Sequence, residues 1–519
     1  MQDSPFRLQV ERLRTRLSKN RTGRAVSGLI SDYAGNALTQ ILSFLVTPLL
    51  VTLLSESMYG FWIVVSQVLF WFNLLDGGVG MYLIKSVASE KHRSESERLT
   101  QAISTSFWSY VFLSIVTVLV GSFLAPWLPG WAKIGSAEAP AVILTFRIAI
   151  LTASISLVTV PTFYAILQGY QRLALLNGIV YGVGAVNLLL AVGLLRMGWG
   201  IVSMAVAQLC ATLFGAAIAF IFARQICSFS LSTRHFRLVE LRQILHFATF
   251  FQMNKLAFVA NTFSDGFLLA GVLGTAPVTT YALTQKLSST ASLFVTKVGG
   301  VLLPGLAELF AQRDVERLQQ VVLRLLRLLT RASLLCFIMV VALNERFVSL
   351  WVGPDLFGGI TLTLLFAYII LYNGLIGNLS VLFFSSGQLE GWGWLSLISA
   401  IVKIGLTVLL LPTLGLLAPM VGTIVGGLFP GVYAPIKTAQ LIQLRLSRIA
   451  LEGVAPSLIR SLPTVFVIAG LSVVIPVAWH WSGLVCIGLG GLVTNVLTFD
   501  MELLGKSFAR LAFRSMPTL

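Results

Sequence analysis

The chain is a succession of apolar stretches, each about 20 to 28 residues long, joined by short loops. In hydrocarbon every backbone N–H and C=O must find a partner inside the protein, so stretches of this length read as membrane-crossing helices. Only 11% of the 519 residues are charged, against about 25% in soluble chains. At about 20 residues per crossing the length allows about 12 to 14 helices and leaves no long polar segment for a separate soluble domain. The predicted class is an all-α polytopic membrane protein of about 14 transmembrane helices. These run over 29–54, 58–84, 102–126, 140–167, 175–195, 199–223, 247–273, 278–306, 332–352, 358–384, 394–412, 416–436, 461–479 and 483–504.

A formal net charge of +16 would suggest nucleic-acid binding in a soluble chain. Here the cations cluster on alternate loops, which is the positive-inside pattern of inner-membrane proteins, and no nucleic-acid partner is expected. The pattern and the even helix count put both termini in the cytoplasm. Residues 1–28 form a basic cytoplasmic segment in which Phe6, Val10, Leu13 and Leu17 recur at helical spacing, as in a helix lying on an anionic leaflet. The apolar run that follows is too long for a cleavable signal. The predicted organisation is an N-lobe over 29–223, a cytoplasmic linker over 224–243, a C-lobe over 244–436, a cytoplasmic loop over 437–460, and two last helices with a basic tail over 461–519.

Ionisable and amide side chains inside the spans carry the functional reading. A lysine near the bilayer centre costs about 2.5–3.5 kcal/mol on insertion scales, so it lines water or meets an anion. Lys255 and Lys286 each lie at least eight residues from either end of the predicted helices 247–273 and 278–306. Lys403 is nine residues from either end of 394–412 and has no acidic neighbour in sequence. For Lys297, towards the cytoplasmic end of its helix, and Arg147, about seven residues from the outer end of its own, snorkelling to the interface is an open alternative. Asp32, Asn36 and Gln40 share a stripe on the first helix, and Asn254, Asn261 and Asp265 share one on 247–273. Such stripes either face a wet lumen or pack helix on helix. A Lys255–Asp265 pair within one helix is disfavoured by their ten-residue spacing. The four cysteines and four histidines are scattered, so no metal, cofactor or catalytic group is expected.

Two short matches recur at nearly one offset. Glu97-Arg98-Leu99-Thr100-Gln101 echoes Glu316-Arg317-Leu318-Gln319-Gln320, and the turn at Gly169 echoes the turn at Gly387. Each match joins loops expected on the same side of the membrane. The chain therefore reads as two six-helix halves related by a parallel pseudo-two-fold along the membrane normal, with the site expected near the midplane where the halves meet.

Three motifs add a resemblance: Tyr59-Gly60-Phe61-Trp62, Leu74-Leu75-Asp76-Gly77-Gly78-Val79-Gly80, and Ile166-Leu167-Gln168-Gly169-Tyr170-Gln171-Arg172. In these the chain resembles the Wzx-type polysaccharide and O-antigen flippases of the multidrug/oligosaccharidyl-lipid/polysaccharide exporter superfamily. The resemblance implies a V-shaped pair of bundles that moves undecaprenyl-pyrophosphate-linked sugar from the cytoplasmic to the periplasmic leaflet by alternating access. Set beside the side chains above, it implies diphosphate contacts from Lys255, Lys286, Lys403 and Arg147. The sugar and lumen polar groups would be Asp32, Asn36, Gln40, Asn254, Asn261, Asp265 and Lys297. The expected partners are an anionic lipid-linked oligosaccharide, the membrane lipids and polysaccharide polymerase machinery, with the chain acting as a monomer; the coupling ion is unassigned. Two rivals stand beside this. A drug or metabolite antiporter of the same superfamily needs buried carboxylates for cationic cargo. A membrane glycan polymerase or ligase needs catalytic groups on a sizeable external loop, and the external loops here are about 5–13 residues long.

Overall fold

A computed structural model of the chain describes residues 21–76, 78–90, 97–237, 252–388, 390–475 and 480–497. The helical elements, in order, are α1 Arg21–Leu54, α2 Glu56–Phe72, α3 Val79–Glu90, α4 Glu97–Leu124, α5 Ala139–Thr159, α6 Ala165–Gly169, α7 Leu173–Arg196 and α8 Val202–Ile226. They continue as α9 Gln252–Thr262, α10 Asp265–Leu273, α11 Ala276–Gln312, α12 Val315–Trp351, α13 Ile360–Tyr372, α14 Asn378–Ser386, α15 Glu390–Leu414, α16 Ala418–Leu441, α17 Ala455–Val474 and α18 His480–Leu497. No strand occurs among the described residues. Ten helical stretches there are long and apolar enough to cross a membrane, or eleven if the bent pair α9–α10 is one span. One of the ten, Glu390–Leu441, holds both α15 and α16, which fold back on one another at the three-residue turn Gly415–Leu417, where Gly415 takes φ +53°. The basic segment 1–20, the central residues 238–251 and the tail 498–519 lie outside the described residues.

Several expected helices are interrupted. The stretch expected as one helix over 58–84 is α2, a 3-10 turn Asn73–Asp76, and α3. Gly78 takes φ +78°, which a side-chain-bearing residue adopts only with strain, and the Asp76 carboxylate accepts from the Gly80 N–H at the new helix start. The stretch expected over 247–273 bends by 42° between α9 and α10, at Phe263 and Ser264. The Ser264 hydroxyl donates to the Ala260 carbonyl, one of those that the bend would leave open. The spans expected over 140–167 and 358–384 each contain a π-helical turn, Val160–Tyr164 and Asn373–Gly377. Pro161 has no N–H to continue the ladder in the first. In the second the buried Asn378 amide donates to the Asn373 and Gly374 carbonyls. The stretch 307–331, left between two expected helices, is instead helical except at Arg313 and Asp314: α11 runs on to Gln312, and α12 starts at Val315, capped by the Asp314 carboxylate on the Arg317 N–H.

The chain divides into two compact units. One comprises Met1–Val259 with Gly274–Ala276, the other Ala260–Leu273 with Pro277–Leu519. The change of unit falls inside the bent pair, between Val259 and Ala260. In the first unit α1 packs on α7, α7 on α8, α8 on α5 and α5 on α4. In the second, α15 packs on α16, and α12 packs on both α13 and α17. The order of elements recurs: α4 and α12, α7 and α15, and α8 and α16 correspond, and each fourth span carries its π turn.

The last two helices, α17 and α18, pack on each other and on α12. Three α12 arginines donate to backbone carbonyls of this C-terminal part: one in the π turn Ile449–Val454 just before α17, one in α18 and one in α17. Arg327 Nε donates to Glu452 O at 2.7 Å, Arg331 Nη2 to Asn495 O at 2.8 Å, and Arg346 Nη2 to Ser472 O at 2.7 Å. The third of these places a cation on the C-terminal carbonyls of α17, where the helix dipole is negative.

Candidate functional site: two aspartate–lysine pairs at helix breaks

The break between α2 and α3 is built around Asp76. Its carboxylate Oδ1 accepts from the Tyr110 hydroxyl and, at 3.3 Å, from the Gly80 N–H. The same hydroxyl also donates to the Asp76 carbonyl at 3.1 Å, and Tyr110, on α4, is buried in a cluster with Val79 of α3 and Leu157 of α5. Oδ2 faces the Lys255 ammonium at 3.2 Å, and the two side chains are 21% and 24% exposed. One turn earlier on α9, the Gln252 amide donates to the Leu74 carbonyl within the same 3-10 turn. The sequence places Asp76 here because Asp-Gly-Gly is a turn signal: it ends α2, and its carboxylate starts α3.

The break between α9 and α10 is built around Asp265. This side chain is buried, at the first position of α10, where the helix dipole favours negative charge. Lys403 Nζ lies 2.6 Å from Oδ1, with side-chain exposures of 1% and 6% for the lysine and aspartate. The same ammonium donates to the Asn261 carbonyl at the end of α9, and the Tyr281 hydroxyl of α11 donates to Oδ2 at 2.8 Å. Lys403 is therefore a clamp across the bend, with the carbonyl end of one half-helix and the carboxylate start of the next both on its ammonium. Close helix packing encloses it. A Cβ on Gly422 of α16 would lie 2.6 Å from the Lys403 carbonyl, so only glycine lets α16 approach α15 this closely.

These positions revise the sequence reading residue by residue. Lys403, expected to be uncompensated, is buried and paired across 138 residues of chain with Asp265. Asp265, expected on a lumen face, is buried with it. Lys255 pairs with Asp76, which was read as part of a motif and not as a site residue. Lys286 is half-buried on α11, with the Thr290 hydroxyl bonded back to its carbonyl, and Lys297 is half-buried further along the same helix. Asn254 and Asn261 are half-buried on α9. Arg147 is exposed on α5. Asp32, Asn36 and Gln40 are half-buried on α1. Asp32 accepts from the Tyr181 hydroxyl of α7 at 2.6 Å, and Gly35 lets the Tyr181 ring approach, since a Cβ there would lie 2.1 Å from it. At Asp32 that stripe is packing between α1 and α7. Tyr110, Tyr181, Gln252 and Tyr281 were not singled out; they are single aromatics and an amide whose partners lie tens to hundreds of residues away. Among the described residues no three His, Cys, Asp or Glu side chains converge as they would around a metal ion.

Comparison with known proteins follows the same lines. The model of a family described as polysaccharide biosynthesis protein matches residues 25–310. Comparison with curated protein sequences finds no match. Among solved structures, the lipid II flippase MurJ in an inward closed conformation aligns with TM-score 0.67 at 12% identity, over 94% of this chain and 99% of that one. An inward-facing multidrug resistance MATE family transporter of the MOP superfamily aligns with TM-score 0.64 at 16% identity, over 78% of this chain and 96% of that one. A MOP superfamily transporter from Pyrococcus furiosus aligns with TM-score 0.54 at 16% identity, over 82% and 96% of the two chains. At these identities the likeness is one of fold, that of MOP-superfamily transporters. With its family model matched over more than half of its length, the chain belongs to the polysaccharide biosynthesis protein family.

Proposed function

We propose that the protein is a flippase that carries an undecaprenyl-pyrophosphate-linked oligosaccharide from the cytoplasmic to the periplasmic leaflet of a bacterial inner membrane by alternating access, as a step of surface polysaccharide synthesis. It would act as a monomer of fourteen crossings with both termini in the cytoplasm, supplying polysaccharide polymerase machinery. Family membership and the transporter fold support the class. The observation that carries the cargo is the accessibility of Lys255: a cation a quarter exposed within a membrane span, with Lys286 half-buried on α11. A pyrophosphate carries compact negative charge, and fixed ammonium groups in a hydrated, low-dielectric cavity attract it strongly. The prenyl tail stays in lipid while the head and sugar enter water. Gln40 and Asn254, half-buried amides, suit sugar hydroxyls, with Lys297 among the lumen polar groups, and Arg147 is a further cation for the diphosphate. Lys403 holds the bend of α9–α10 in place of the cargo contact expected for it.

An antiporter for cationic drugs is disfavoured by the same geometry. Such cargo wants a free buried carboxylate, and Asp265 is already matched by Lys403 at 2.6 Å. The test is genetic and chemical. Deletion of the gene is expected to halt surface polysaccharide and to accumulate a diphosphate-linked lipid intermediate in the inner leaflet. Complementation with Lys255→Ala or Lys286→Ala is expected to fail at normal protein levels. Full export by both variants would overturn the reading.

A further inference from the structure

The two pairs differ in what happens when the lysine leaves. Asp76 has three other contacts besides Lys255: the Tyr110 hydroxyl on Oδ1 and on its carbonyl, and the Gly80 N–H at the start of α3. These donors are fixed, since Tyr110 is buried and Gly80 is backbone. The carboxylate therefore keeps two donors on Oδ1 when its cation departs, so the negative charge left behind is hydrogen-bonded rather than bare. Lys255, in contrast, is a point charge on a flexible four-carbon stem. Its ammonium is 3.2 Å from Oδ2, and both side chains are partly exposed. In this pair the acid is the fixed part and the lysine is the movable one.

We propose that Asp76 is a built-in counter-anion that competes with the cargo's phosphate for Lys255, so that loading the cargo exchanges one anion for another on the same ammonium. The proposal rests on the flippase reading above and names a residue that sets affinity within it. The exchange has a structural consequence. Lys255 lies on α9, and Asp76 sits at the break between α2 and α3, so moving the ammonium from Asp76 to a phosphate removes an ion pair that ties α9 to that break. A diphosphate, with more than one negative charge, draws the ammonium from a single carboxylate. An apolar or neutral lipid does not, and the pair stays closed. Asp76 thereby favours cargo whose head carries more than one charge.

The experiment uses the full-length protein in lipid nanodiscs and farnesyl diphosphate as the probe, with farnesol as the uncharged control. Asp76→Asn is expected to tighten farnesyl diphosphate binding about five- to tenfold and to leave farnesol unchanged. In a Lys255→Ala background the same Asp76→Asn change is expected to have little effect, because the contested cation is gone. Tyr110→Phe removes a donor from the carboxylate, which then leans harder on Lys255, and binding is expected to weaken about two- to threefold. That variant decides the matter if Asp76→Asn does not fold, as judged by its unfolding temperature. Unchanged or weaker binding in folded Asp76→Asn overturns the proposal, as does a gain that persists without Lys255, which would indicate simple charge repulsion. If the wild type binds farnesyl diphosphate no better than farnesol, the cargo reading itself fails. If it binds well, needs Lys255 and ignores Asp76, only the present inference fails.

Discussion

The Asp76–Lys255 and Asp265–Lys403 pairs have the same chemistry, and each sits where a membrane helix is interrupted. They differ in enclosure. In the first, both side chains are exposed by more than a fifth, and the aspartate has a phenol and a helix start to fall back on. In the second, the lysine is 1% exposed and spans the carbonyl end of α9 and the carboxylate start of α10. An enclosed ion pair is costly to break, because each partner would be left as a bare charge in an apolar interior; an open one exchanges its partner cheaply. Lysine at mid-membrane is therefore not one signal. One of these lysines is enclosed at a bend, and the other, partly exposed, is the one we propose an incoming anion reaches.

The contrast predicts a graded series of variants, each read as thermal unfolding of the purified protein in detergent. Lys403→Ala strands Asp265 in the interior and is expected to cost about 3–5 kcal/mol, while Lys403→Met combined with Asp265→Leu recovers most of that loss. Tyr281→Phe removes a donor to the buried carboxylate and is expected to cost about 1.5–3 kcal/mol. Gly422→Val pushes α16 off the Lys403 carbonyl and is expected to cost about 1–3 kcal/mol, against no loss at Gly405, where a Cβ meets nothing within 4 Å. Lys255→Ala is expected to change stability by no more than about 1 kcal/mol while abolishing export. Equal costs for Lys255→Ala and Lys403→Ala would erase the distinction between the pairs.

Much of the fold was legible because transmembrane helices announce themselves locally. The apolar runs and the basic loops are visible within windows of about 20 residues, and the offset that relates Glu97 to Glu316 is visible when the two halves of the sequence are compared. The interruptions were less so. Asp76-Gly77-Gly78 is a turn signal lying at the end of an expected helix, and its apolar surroundings hid the break. Nothing but Ser264 marks the bend at Phe263–Ser264, where tertiary contacts to Lys403 and Tyr281 fix the geometry. The partners of the lysines were illegible for the same reason. Asp76 and Lys255 are 179 residues apart, and Asp265 and Lys403 are 138 apart, so no local spacing joins them. The mid-helix position of Lys403 signalled a demand for negative charge, and Asp265 lies 2.6 Å from its ammonium. The stripe of Asp32, Asn36 and Gln40 on α1 was open between lumen and packing, and the Tyr181 contact assigns Asp32 to packing.

On the reading proposed above, Lys255 meets the phosphate of a lipid-linked sugar. The most direct test is transbilayer movement of a polyprenyl-diphosphate-linked sugar in proteoliposomes, comparing the wild type with Lys255→Ala at equal amounts of folded protein. The account predicts movement by the wild type and a loss of at least tenfold in the variant. Equal rates for the two proteins would contradict it.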